Sequence, residues 1–510
     1  MGIINRAKGT WRTIRHRSEK SKFATDVLIH GVSQAFAQAR GVILLPLISI
    51  GLSLTDYGIW TQTSETAVLL LPFLILGLDQ AAVRYLPGMR ENKEGFSEAF
   101  FGMLLTIYLF CTLILLAAWP GRYFFSRIIL GDDRYVTFVY LLFALVVGQV
   151  SFRFLLNYWR LVRKIAHYAL IRMAMDAALL VGLLVIIAWL KLGILVGVLY
   201  WVGLQWAFSL AILLVVLKQI PFRWPCSFRL VFPYIRYALP LVLYTAVYWL
   251  INSSDRYFIV NYFDLAQVGI YSAAYKLSGI ATSAKIPLNF VLLPTLSKMW
   301  SQGDKAGVRS YTERTMNFYF IVVIPLVVLL GAGAPLFLKL LANVTIPEGQ
   351  LVMSLVSVAF LFTGLDQFFR NVLMLQERTA RLFVTLVPMA LLNLLLNYWL
   401  IPLYGIVGAA VATAASMALK AMVLYLQSRR EFKYRLDWGL ILRVLLSSLP
   451  FVLVVRLVPA NTIWLLIVVA TLGGLLYLIG LVVLRVINTR DIHAYLKNVR
   501  GQLLSPADSE

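Results

Sequence analysis

The chain has 510 residues, is 61% hydrophobic and only 14% charged, and carries a formal net charge of +23. A soluble domain could not bury so much apolar surface. The apolar residues instead fall into runs of about 20, the length that crosses a hydrocarbon core of ~30 Å, and the alternating ten-residue segments of an outer-membrane barrel do not occur. An all-α polytopic membrane protein is expected, and the cations sit around its spans in a way that excludes nucleic acid as the partner.

Residues 1–23 form a basic cytoplasmic segment, with Arg6, Lys8, Arg12, Arg15, Arg17, Lys20 and Lys22 ahead of the first apolar run. It lacks the short apolar core and small-residue cleavage site of a signal peptide. Spans are predicted near 24–50, 58–83, 96–119, 135–159, 166–190, 192–217, 236–261, 266–297, 315–338, 350–376, 382–401, 405–428, 439–458 and 462–487. With the N-terminus inside, 33 Lys and Arg fall in or beside the cytoplasmic segments and 6 in the outer loops. That asymmetry implies about 14 transmembrane helices in the cytoplasmic (inner) membrane, with both termini cytoplasmic. The longest outer loop, near 120–134, is too short for an extracytoplasmic domain.

A weak internal repeat divides the chain. LTDYGIW at 54–60 matches LAQVGIY at 265–271 with an offset of 211, and LGILVG at 192–197 matches YGIVG at 404–408 with an offset of 212. Two six-helix lobes are expected, 24–217 and 236–428, joined by a cytoplasmic linker at 218–235. An even helix number per lobe makes the repeats parallel, with a substrate site between them. Residues 429–487 add a helix pair, and 488–510 form a cytoplasmic tail. GLDQ recurs at 77–80 and 364–367, out of that register, and is taken as coincidence. Cys111 and Cys226 are not placed to bridge. His16, His30, His167 and His493 are scattered, so no metal centre is expected.

Seven cations remain once the cytoplasmic and outer ones are set aside: Arg40, Arg153, Arg256, Lys276, Lys285, Arg370 and Lys420. A central charge costs about 2.5–3.5 kcal/mol on insertion scales and so faces protein or a wet cavity. On span 1, Asp26, His30, Ser33, Gln34 and Arg40 share an arc of about 120°, read as the wall of a lumen. On span 7, Tyr244, Tyr248, Asn252 and Asp255 share about 80°, suited to sugar faces or to ordinary packing. Arg256, near the outer end, either snorkels or pairs with Asp255. The polar run Thr61, Gln62, Thr63, Ser64 and Glu65 on span 2 is expected to line an outward vestibule, and Asp79 lies near Arg84. Lys276 and Lys285 on span 8 are about 180° apart on a straight helix and share a cavity only if it is irregular near Gly279 or Pro287. Arg153, Arg370 and Lys420 fall in the inner halves of their spans. These cations outnumber the deep carboxylates Glu65, Asp79, Asp176, Asp255 and Asp366, and a positive low-dielectric cavity attracts phosphate. No nucleotide-binding loop, nucleophile elbow or metal cluster is found, so neither an enzyme nor a cofactor is expected.

LSLTDYG at 52–58, GLDQAAVRYLP at 77–87, DRYFIV at 255–260 with GIYSAAYKL at 269–277, and NLLLNYWLIPLYGIVGAAVAT at 393–413 carry a family resemblance. Over about 24–428 the chain resembles the polysaccharide transporter family, which includes the O-antigen flippases. That family belongs to the multidrug/oligosaccharidyl-lipid/polysaccharide exporter superfamily. The resemblance implies two lobes around a central cavity. It also implies export of an undecaprenyl-diphosphate-linked oligosaccharide from inner to outer leaflet by alternating access. Under that reading Arg40, Lys276, Lys285 and Lys420, with Arg153, Arg370 and Arg256, are candidates for the diphosphate. Tyr244, Tyr248, Asn252 and Gln34 are candidates for sugar, and Glu65, Asp79 and Asp255 for a coupling ion, H+ or Na+. Partners are membrane lipid, the lipid-linked anionic oligosaccharide and other polysaccharide assembly proteins. Fourteen helices are also similar to the lipid II flippase branch, whose last two helices help form a lipid-tail groove. The alternatives are a drug/cation exporter of the same superfamily, which wants an acidic cavity, and a membrane polysaccharide polymerase or ligase, which wants a large outer loop.

Overall fold

The structure, a computed structural model, describes residues 29, 31–224, 231–376, 379–430, 432–458 and 462–487. Among the described residues there is no strand. Among the described residues eleven helices are long and apolar enough to cross a membrane, or twelve when one bent pair is counted as a span. The chain is a multi-pass membrane protein. It divides into two compact units, Met1–Trp249 with Phe263–Gly269, and Leu250–Tyr262 with Ile270–Glu510.

The first unit begins with α1 (Gly31–Ser49). It continues through α2 (Leu54–Leu74), α3 (Leu78–Tyr85), α4 (Lys93–Ala118), α5 (Arg122–Leu130), α6 (Val136–Leu161), α7 (Ile165–Leu183) and α8 (Ile194–Gln219), and takes in most of α9 (Phe232–Ser253). Ser53 opens α2, its hydroxyl oxygen accepting from the Asp56 amide at 3.0 Å, which satisfies one of the otherwise orphan N–H groups of the first turn. The expected span 58–83 is not one helix. Leu76 and Gly77 both take positive φ, 55° and 65°, and α2 and α3 meet at 51°. Gly77 suits the site twice over: φ there costs it nothing, and a Cβ would lie 2.7 Å from that of Ala238. The helix at the middle of the unit is α6, whose apolar window is 72% buried against 28% for α8.

One repeat match has a physical counterpart. A Cβ on Gly58 would fall 2.0 Å from the carbonyl oxygen of Leu265, and one on Gly269 would fall 2.0 Å from that of Leu54. The two repeated segments therefore touch backbone to backbone, reciprocally, inside the first unit. Both open helices, α2 and α11 (Leu265–Ser278), and Asp264 caps the second as Ser53 caps the first.

The second unit holds α10 (Asp255–Tyr262), the rest of α11, a 3₁₀ stretch Gly279–Ala284, α12 (Lys285–Ser301), α13 (Lys305–Ala332), α14 (Ala334–Ala342), α15 (Pro347–Leu375), α16 (Thr379–Arg429), α17 (Trp438–Leu457) and α18 (Ile463–Val483). The expected span 266–297 is thus interrupted at Gly279, and 236–261 is broken at Ser254. The stretch α16 is two helices joined at a kink at Gly405 (φ 57°, ψ −140°), within the second repeat match and where the expected spans 382–401 and 405–428 meet. Met316, Tyr319, Phe320, Phe368, Phe369 and Leu424 form its core, onto which the α17–α18 hairpin is tied by the Tyr477 hydroxyl donating to the Ile321 carbonyl at 2.5 Å.

Candidate functional site

Ion pairs among the described residues include four of the seven intramembrane cations, two in each unit. In the first unit, Arg40 of α1 pairs with Asp176 of α7 at 2.5 Å, and Arg153 of α6 pairs with Asp79 of α3 at 2.8 Å. Arg40 is therefore not an uncommitted lumen cation, although its Nε is buried and finds no acceptor among the described residues. Asp79 does not engage Arg84. That guanidinium instead donates to the Tyr237 hydroxyl at 3.0 Å and lies 4.5 Å from its ring centroid. The polar run on α2 is likewise corrected. Thr61, Gln62 and Thr63 are buried, with Gln62 Nε2 donating to the Ile129 carbonyl at 2.7 Å, so they do not face an open vestibule in this structure. A span too polar for lipid can satisfy itself on a neighbouring helix as well as on water.

In the second unit, Asp255 and Arg256 close on each other at 3.1 Å, both almost fully buried. Asp255 also accepts from the Tyr271 hydroxyl, and Arg256 Nε donates to Ser272 Oγ at 3.2 Å. The guanidinium lies 4.7 Å from the Tyr275 ring centroid. This knot braces the broken junction between α9 and α10, and Asn252 joins it through its carbonyl, which accepts from Arg256 at 3.1 Å. Arg256 therefore pairs instead of snorkelling, and in this structure the pairing and burial leave neither Arg256 nor Asp255 open to a ligand.

The remaining constellation lies on α12, α15 and α16. Lys420 pairs with Asp366 at 2.6 Å, their side chains 5% and 4% exposed. Lys285 lies within electrostatic range of Asp366, Arg370 and Lys420. Three cations thus surround one carboxylate. Lys285 and Arg370 are half-buried, and Lys285 opens α12 where the 3₁₀ stretch ends, the irregularity that moves it off a straight-helix face. A smaller group of the same kind, Arg40 with Arg172 around Asp176, occurs in the first unit. The sequence reading missed Arg172 by counting it with the cytoplasmic cations. Its signal was there, four residues before Asp176 on one helix face.

The other candidates are placed separately in the chain. Lys276 is exposed at the end of α11, six residues of 3₁₀ helix away from Lys285. Tyr244 and Tyr248 on α9 and Gln34 on α1 are half-buried. The backbone carbonyl of Glu65 accepts from Trp249 Nε1 at 3.0 Å. Asp26, His30 and Cys226 lie outside the described residues.

Comparison with known proteins matches residues 23–300 to a family described as polysaccharide biosynthesis protein. A probable flippase, AglR, of Haloferax volcanii is 29% identical over 31% of this chain. The curated relatives it matches are covered over only 42% and 33% of their own lengths. Among solved structures, the lipid II flippase MurJ in an inward closed conformation superposes with a TM-score of 0.71 at 15% identity, covering 90% of this chain and 98% of that one. An inward-facing multidrug resistance MATE family transporter of the MOP superfamily gives 0.58 at 12% identity, covering 79% and 94%. At those identities the likeness is one of fold.

Proposed function

The chain belongs to the polysaccharide biosynthesis protein family, and from that premise we propose that it is a flippase for a lipid-linked anionic oligosaccharide, carrying the headgroup from the inner to the outer leaflet of the cytoplasmic membrane. The activity is transport and not catalysis, in keeping with the flippase and transporter names of its relatives. The observation that supports the cargo is the excess of positive charge around Asp366. With Lys420 committed to that carboxylate, Lys285 and Arg370 are the groups we assign to a diphosphate, as in an undecaprenyl-diphosphate carrier. A sugar headgroup with a diphosphate cannot enter hydrocarbon, and fixed cations in a low-dielectric setting lower that barrier while the polyprenyl tail stays in lipid. Arg40 and Arg172 supply a second, weaker positive site in the first unit.

Alternating access driven by a coupling ion remains part of this reading. Asp79 and Asp255 are poorly suited to take up that ion, because each already faces an arginine. A cation exporter of the MOP type fits less well, since it wants net negative charge where this chain places net positive charge.

The test is reconstitution in liposomes with a fluorescently tagged lipid-linked oligosaccharide, scoring headgroups that become accessible to an impermeant quencher. Wild-type protein should transfer the headgroup, and Lys285→Gln with Arg370→Gln should slow it at least tenfold while the protein still inserts. Transfer unaffected by the double substitution would remove the diphosphate assignment.

A further inference from the structure

One end of the first unit contains a second cationic feature, separate from the intramembrane groups. A cavity of about 250 Å³ is lined by Arg90, Lys93, Phe96, Tyr158, Val162, Gln219 and Ile220. Its walls come from the turn after α3, the first turn of α4, the end of α6 and the end of α8. The basic-residue excess of these connections places this end at the cytoplasmic face.

The lining holds two cations and no carboxylate. Arg90 Nε is buried and has no acceptor among the described residues. The nearby acid Glu94 is already taken by Arg223. Gln219 Oε1 accepts the Tyr158 hydroxyl at 3.0 Å, so the amide has only its N–H groups left to give. Burial, and then the neighbouring Arg163 cation, push the Arg90 guanidinium below its ordinary proton affinity. Arg90 and Lys93 in the lining, with Arg163 in electrostatic range and no carboxylate among the lining residues, form an arrangement completed by an anion. Arg163 itself is held at a φ of 58°, a conformation a non-glycine residue adopts only when its surroundings impose it.

We propose that this cavity is a phosphate-ester site, in which Arg90 and Lys93 hold the phosphate oxygens and Phe96, Val162 and Ile220 receive the carbon skeleton. The guanidinium supplies a planar fork matched to two phosphate oxygens, and Lys93 a point charge beside it. The N-terminus of the 26-residue α4 adds its own positive end. The ligand's chemistry can come from the headgroup of an anionic membrane lipid or from a soluble phosphate, and basic pockets between helices at a cytoplasmic face are suited to the former.

The experiment has two arms on the purified full-length protein. In neutral detergent, binding of inorganic phosphate is measured by calorimetry. In nanodiscs, retention of phosphatidylglycerol against phosphatidylcholine is measured by native mass spectrometry. Wild type should bind in at least one arm, the arm identifying the source, and Arg90→Gln should weaken that binding at least tenfold. Arg90→Lys, which keeps the charge but loses the fork, should fall between them. Failure of wild type to bind in both arms overturns the site without involving any variant. Equal binding by wild type and Arg90→Gln overturns it as well. Either result leaves the flippase reading untouched, since headgroup transfer is not the readout.

Discussion

Replacing Asp366 with Asn removes the negative charge that Lys420 faces at 2.6 Å, in a place where both side chains are about 95% covered. At an effective dielectric of about 20, two unit charges at that separation attract by ~6 kcal/mol, part of which offsets the cost of taking them out of water. Breaking such a pair by removing one partner destabilises a protein by about 3–5 kcal/mol, because a buried charge is left without its counterpart. Lys285 and Arg370 make this case worse, since Asp366 also tempers their repulsion of Lys420. With about 2–4 °C lost per kcal/mol for a unit of roughly 250 residues, Tm of the detergent-purified protein should drop by at least ~6 °C. The charge-free double variant Asp366→Leu with Lys420→Met should recover most of that loss, as isosteric replacement of a buried pair is often close to neutral. A Tm within ~2 °C of wild type for Asp366→Asn, or a double variant no more stable than the single, would refute the reasoning.

Gly58→Ala and Gly269→Ala each drive a methyl group into a carbonyl oxygen 2.0 Å away, and neither backbone can yield cheaply. Each should cost ~1–3 kcal/mol or more in thermal stability, and the double variant should cost less than the sum because both probe one contact. Arg153→Leu leaves Asp79 buried without its partner. Arg153 is 49% exposed, so the loss should be smaller than for Asp366→Asn, about 1–3 kcal/mol by the same thermal assay.

The helical membrane architecture was legible because it depends on run length and composition, which any window of the chain displays. The irregularity at Gly279 could be posed from sequence alone, since Lys276 and Lys285 share no face on a straight helix. Asp255 and Arg256 could be paired because they are adjacent. The other pairings could not be read. Arg40 and Asp176 are 136 residues apart, and Arg153 and Asp79 are 74 apart. A cation inside a span has the same sequence signature whether it meets water, phosphate or a carboxylate on another helix. The same ambiguity misplaced Thr61, Gln62 and Thr63, whose polarity is answered by protein. The GLDQ echo proves instructive in a limited way: both aspartates are buried against a cation, Arg153 or Lys420. Their backbones differ, however, since Gly77 sits at a helix break whereas Gly364 lies within α15 against the Tyr319 ring.

Headgroup charge is the feature on which the transport reading depends. Two glycolipids with the same sugar and tail, one joined through a diphosphate and one through an uncharged linkage, should be offered to the reconstituted protein and their transfer rates compared. The diphosphate lipid should cross at least tenfold faster, and Lys285→Gln with Arg370→Gln should abolish the difference. Equal rates for the two lipids with wild-type protein would contradict recognition of an anion by these cations.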